Sequence, residues 1–168
     1  VVAEAMAGQR AGFKQALKIG EGVTTARTLS ATPPNIANPL YIARYCKALV
    51  RVGASSAGYD RKIGLPMEFI LRSDPHALAG GDSLSAVLEF QGEPLAHVMV
   101  DLISLDDRND VRTTLSDRRG RVTIRLPRAG RWMLAATHMR RVTAAAGSDV
   151  KGDWQSFWAT LTFAVPGA

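Results

Sequence analysis

From residue 63 onward, apolar residues fall at every second position, and turn-forming residues return roughly every ten. Leu65, Met67, Phe69 and Leu71 alternate in LPMEFILR, and Leu84, Ala86, Leu88 and Phe90 do so in SLSAVLEF. A period of two belongs to a strand with one buried face, and a series of such runs at this spacing specifies a sandwich or small barrel. Seven runs qualify: 65–71, 84–90, 94–105, 111–115, 121–126, 131–139 and 156–165. FQGEPL, SDRRGR and LPRAGR between them carry the Gly, Pro and Asp of tight turns. The stretch 140–153 reads as a long loop.

Before residue 54 the spacing is helical instead. Phe13, Ala16, Leu17 and Ile19 start a stripe that Val23, Ala26 and Leu29 continue, which predicts a helix over 8–29 that Pro33 and Pro34 exclude from going further. A second helix is predicted over 39–52. Asn38 suits its N-cap, Pro39 its first position, and Leu40, Ala43, Cys46, Lys47 and Val50 recur at intervals of three and four. The small, polar VGASSAGYD then reads as a linker. The expected fold class is mainly β: a seven-stranded antiparallel sandwich of immunoglobulin-like architecture over 55–168, preceded by two α-helices within 1–54.

Composition narrows the function. With 168 residues at 46% apolar, the chain has room for one ordinary domain, or a small one with an appendage. A net charge of +6 would suggest a nucleic-acid partner, but its distribution argues otherwise. Residues 1–54 hold seven Lys and Arg against Glu4 and Glu21, whereas 55–168 hold fourteen against thirteen acids. The expected sandwich is nearly neutral, so no nucleic-acid partner is expected. No run reaches the ~18 apolar residues of a membrane span. The opening VVAEAMAGQR lacks the basic and apolar regions of a secretory signal and an initiating Met, so the chain reads as a fragment or a processed product. Cys46 is the single cysteine, which excludes an internal disulfide.

Few residues carry obvious chemistry. Residues 1–54 own two carboxylates, too few for the converging acids of a two-metal site, so Pro33, Pro34 and Asn35 read as a rigid turn. His76, His97 and His138 are the candidate ligands for a transition metal. His97 and Asp101 share a strand face but stand about 13 Å apart at ~3.3 Å per residue. His138 precedes the loop carrying Asp149 and Asp153. DDRND at 106–110 lacks the glycine and terminal glutamate of a calcium loop. Arg118, Arg119, Arg121, Arg125, Arg128 and Arg131 cluster along what reads as one hairpin, with Arg121 and Arg125 facing away from Val122 and Ile124. That pattern suits a solvated edge that discourages strand pairing. No nucleophile elbow and no Gly-rich phosphate loop is present.

Two resemblances add to this. GVTTARTLSATPPNIANPLYIARYC, within residues 8–52, resembles the segment joining the two domains of the leucyl (cytosol) aminopeptidase family, whose metal ligands lie further downstream. GLPMEFILRSDPHAL, GDSLSAVLEFQGEPLAHVMV, TLSDRRGRVTIRLPRAGRWMLAATHM and DWQSFWATLTFAV, within 59–165, resemble a periplasmic family of unknown function found beside nickel and cobalt uptake systems. The central part is also similar to transthyretin-like and carboxypeptidase-regulatory-like sandwiches. The second resemblance implies a non-enzymatic, periplasmic accessory module for a ligand or an envelope partner, with nickel, cobalt or zinc as the metal at issue. The first implies the alternative, a non-catalytic aminopeptidase fragment fused to an unrelated domain, in the cytoplasm. Oligomeric state is left open.

Overall fold

The computed structural model of the chain describes residues 2–7, 41–51, 53, 57–107, 109–141 and 154–167. Ten strands lie among them: β1 (Val2–Ala7), β2 (Tyr41–Leu49), β3 (Met67–Leu71), β4 (Ser83–Phe90), β5 (Glu93–Pro94), β6 (Met99–Ser104), β7 (Val111–Leu115), β8 (Arg121–Arg125), β9 (Gly130–Arg141) and β10 (Trp154–Val165). The one helical element among the described residues is a 3-10 turn at Pro75–Ala77. The fold is mainly β.

Two sheets face each other. One has the order β1-β2-β10-β9-β6-β7; the other joins β3 to β4, whose far edge is shared by β5 and β8. Their facing residues form one core, with Phe69, Leu84 and Leu88 from the smaller sheet meeting Leu102, Leu134 and Phe163 from the larger. On β10 the inward face is Phe157, Ala159, Leu161, Phe163 and Val165. Trp158 lies on the opposite face and is still buried, with its Nε1 donating to Ser156 Oγ at 2.8 Å and the Arg44 guanidinium 4.7 Å from its ring centre.

Each run of the alternating half holds a strand, but several expectations are corrected. Strands number ten among the described residues rather than seven, and the pairing is mixed, because β2 runs parallel to β10 with Ala43 opposite Phe157. The helix predicted over 39–52 is replaced by β2. The reason is visible in its burial: Ala43, Tyr45 and Lys47 are buried, whereas Ile42, Arg44, Cys46 and Ala48 are less so. This is a period of two, and it was obscured because one of its three buried members is a lysine. A short isolated helix is marginal in water, and a segment hydrogen-bonded to strands on both edges overrides local propensity. The helix predicted over 8–29 and the turn at Pro33 to Asn35 lie outside the described residues; of the loop read over 140–153, Arg140 and Arg141 belong instead to β9, and the rest lies outside them.

β2 is fastened to the smaller sheet by a buried ion pair. Lys47 Nζ donates to Glu68 Oε1 at 2.8 Å, to the Phe69 carbonyl at 3.1 Å and to the Arg61 carbonyl, so all three of its N–H groups are used. Glu68 also accepts from the backbone N–H of Ile63, Gly64 and Leu65. Lys47 is 4% exposed and Glu68 1%. The pair links strands of different sheets, which places β2 in the same body as the alternating half.

Turn chemistry sets the registers. Gln91 and Gly92 both have positive φ, 54° and 88°, in the two-residue hairpin where Phe90 pairs with Glu93. Gly120, at φ 68°, sits where β4, β5 and the turn before β8 meet: its carbonyl accepts from Leu88 N–H at 2.8 Å, and an added Cβ would lie 2.6 Å from the Leu88 carbonyl oxygen. Gly120→Ala is therefore expected to cost about 1–3 kcal/mol from the left-handed backbone, with the clash adding to it. Urea unfolding checks this; a midpoint unchanged from wild type would show that the junction yields freely.

A candidate binding groove between two strand edges

The three histidines occupy separate environments. His76, in the 3-10 turn, donates its backbone N–H to Asp74 Oδ1 at 3.0 Å, and its Nδ1 lies 3.3 Å from the same oxygen. His97 is exposed, with φ 57° and its N–H bonded to the Ser116 carbonyl at 2.9 Å. His138, on β9, packs its ring 4.8 Å from that of Phe90. Phe90 pairs with Met67 at the start of β3, whereas His76 follows Leu71 at its end, so about 13 Å of strand at ~3.3 Å per residue separates the two histidines. Val100 opposite Ala136 puts His97 toward the same end of the larger sheet as His138. Among the described residues, no three His, Cys, Asp or Glu side chains gather as an ion would require. Asp149 and Asp153 lie outside the described residues.

His138 belongs to an aromatic and basic cluster. Phe90 and Phe157 meet edge to face at 4.8 Å, and Arg140 lies 5.5 and 5.2 Å from their ring centres while its Nε donates to Gln155 at 2.7 Å. Burial, and after it the like charge of Arg140, pushes the His138 imidazole below its usual value. The unfolded chain takes up this proton near pH 6.5 and the folded chain resists it. The contribution of His138 to stability is thus full above about pH 6.5 and declines as pH falls through the lowered folded value. His138→Phe is expected to flatten the stability profile between about pH 7 and 5.5. Denaturant midpoints at steps of pH test this, and parallel wild-type and variant profiles would contradict it.

Two of the three acids in the connection at 106–110 pair with arginines, and Asp107 accepts from the Asn109 backbone N–H at 3.1 Å. Asp106 accepts from Arg131 N–H at 2.8 Å and pairs with its guanidinium at 2.7 Å, and the backbone N–H bond, followed by the side-chain bond, holds its carboxyl below the usual range. Asp110 receives two guanidiniums, those of Arg112 and Arg128.

One feature was not legible in the sequence. The arginines from Arg118 to Arg131 read as lying along one hairpin, yet β8 pairs with β4 in the smaller sheet while β7 and β9 both pair with β6 in the larger, so the chain crosses between the sheets on either side of β8. This corrects the single basic hairpin. As a result the edge strands of the two sheets lie side by side and enclose an open groove of about 550 Å³. Arg112, Thr113 and Thr114 line it from β7, and Thr123, Ile124 and Arg125 from β8. Thr113 Oγ1 donates to Asp101 at 2.7 Å, and Arg125 Nε donates to the Gly81 carbonyl at 3.1 Å. Around the groove, among the described residues, the guanidiniums of Arg112, Arg125 and Arg128 stand against two carboxylates, Asp110 and the Asp101 that accepts from Thr113. Convergent guanidinium and hydroxyl groups of this kind recognise carboxylates and phosphates. Alternation correctly sets Arg121 and Arg125 outward; it carries no information about which sheet a strand joins.

No helix among the described residues is long and apolar enough to cross a membrane. No curated protein and no solved structure matches the chain. A family model does match, over residues 6–140, which is 135 of the 168 residues and takes in the whole of the stretch 8–52 that carries the aminopeptidase-like pattern. The chain therefore belongs to the family described as Domain of unknown function (DUF4198).

Proposed function

We propose that this chain is a non-enzymatic accessory module of the periplasm that binds a ligand or partner through the groove between β7 and β8. The supporting observation is the groove's composition: two arginines on facing strand edges, separated by threonine hydroxyls, with a surplus of positive charge nearby. The residues that most resemble reactive ones are engaged elsewhere. His76 is held by Asp74, His138 is stacked on Phe90, and Glu68 is saturated by Lys47 and three backbone N–H groups. The resemblance to families beside nickel and cobalt uptake supports a setting in transition-metal uptake. The histidines themselves do not form a ready ion site among the described residues, so the proposal assigns the groove, and not a metal, as the point of contact.

Nuclear magnetic resonance of the isotopically labelled chain tests this, with glutarate, a simple dicarboxylate, and zinc titrated separately. Glutarate is expected to shift the amides of Arg112, Thr113, Thr123 and Arg125 at millimolar concentration, and the shifts should vanish in R112A/R125A. The proposal fails if glutarate leaves these amides unmoved, or if zinc alone acts and its effect is lost in H138A or H97A. Hydrolysis of a leucine anilide by the purified chain would equally overturn the non-enzymatic reading.

A further inference from the structure

We propose that the occupant of the groove is an extended acidic segment of a partner protein. This rests on the binding role just given to the groove and goes on to name what it binds. Three observations support it.

The first is the shape of the walls. They are two strand edges, not the enclosing loops of a small-molecule site, and the groove lies open between them. Small-molecule sites are mostly apolar and bury most of their ligand. Among the described residues of the lining, Ile124 and Pro127 are the large apolar ones, and arginine and threonine dominate. The second is charge. Arg121 pairs with Asp117 and Arg131 with Asp106, so two of the six arginines in the basic cluster are neutralised by a neighbouring carboxylate. At the groove the balance differs. Asp110 is divided between Arg112 and Arg128, and the Nε of Arg125 bonds to a neutral carbonyl. An acidic partner would supply the missing counter-charge, and guanidinium clusters are a recurring means of recognising acidic motifs. The third is repeat length. An extended chain presents alternate side chains to one side at a rise of ~3.3 Å per residue, so a single segment can bring several carboxylates to the two walls together. Such multivalent contact binds more tightly than a free dicarboxylate of the same chemistry.

Fluorescence anisotropy of the full chain with a short labelled peptide of alternating Glu and Thr tests the inference, with a Lys and Thr peptide and free glutarate for comparison. The acidic peptide is expected to bind at least tenfold more tightly than either. R112E/R125E should weaken it at least tenfold, whereas R119E, an exposed change on the same basic stretch but outside the groove, should leave it within twofold. Arg112, Arg119 and Arg125 are all exposed, so both variants should keep the wild-type thermal transition. Equal weakening by R119E would reduce the effect to general charge attraction and overturn the inference. An acidic peptide that binds no better than glutarate would also overturn it; groove shifts with glutarate would then still uphold the binding role.

Discussion

Lys47→Ala is expected to lower the unfolding free energy by about 3–5 kcal/mol, because it leaves a buried carboxylate without its partner. For a chain of this size that is a fall in Tm on the order of 10 °C. The size of the effect follows from how completely the pair is enclosed. Lys47 spends all three N–H groups on Glu68, Arg61 and Phe69, and Glu68 is 1% exposed. Replacing both partners by apolar residues, as in K47M/E68L, removes the stranded charge but leaves the N–H groups of Ile63, Gly64 and Leu65 without an acceptor. Its cost is expected to be smaller than that of Lys47→Ala and still about 1–3 kcal/mol. Guanidinium unfolding ranks the two. A Lys47→Ala variant within 1 kcal/mol of wild type would mean that water reaches Glu68.

The same pair predicts an acid limb. Burial by itself would raise the Glu68 carboxyl, but the Lys47 hydrogen bond and the backbone N–H groups of Ile63 and Gly64 outweigh it and hold the group below the usual range. Its contribution is full above the unfolded glutamate value of about 4.3 and is lost as pH falls through the lower folded value. The loss therefore falls below the window assigned to His138.

Trp132→Ala is the second large effect, at about 3–5 kcal/mol. Trp132 is 0% exposed and shares the inward face of β9 with Leu134 and Ala136. Its Nε1 donates to the Arg128 carbonyl at 3.2 Å, and the Arg128 guanidinium lies 5.1 Å from the ring centre. Truncation opens a cavity between the sheets and removes the donor that orders the turn before β9. Trp132→Phe keeps most of the volume and loses the N–H, so it should cost about 1–2 kcal/mol. Equal costs for the two substitutions would show that the hydrogen bond, and not the packing, dominates.

These sites differ in how far they could be read in advance. Trp132, Leu134 and Ala136 share one strand face in the sequence and one core in the structure, because alternation records burial locally. Lys47 was harder. Its burial on β2 depends on Glu68, twenty-one residues away, and a lysine at a buried position reads as polar until its partner is known. His138 has the composition of a metal ligand, and the structure seats it in an aromatic stack formed by three strands that are distant in sequence. The groove left the faintest trace. Arg112 and Arg125 lie in neighbouring strands, but what brings them to facing walls is the crossing between sheets after Leu115.

The sequence by itself determined where seven strands between 65 and 165 lie and which residues of each share a face, since a period of two is a property of the pleated backbone and needs no partner. Only the tertiary structure decided that Tyr41–Leu49 enters the larger sheet parallel to Trp154–Val165, that Lys47 meets Glu68, and that β7 and β8 part company to leave a basic groove. The physical reason is that a strand's hydrogen-bonding edges are chemically alike along every segment. Their partners are therefore chosen by the packing of the whole molecule, not by the local order of side chains.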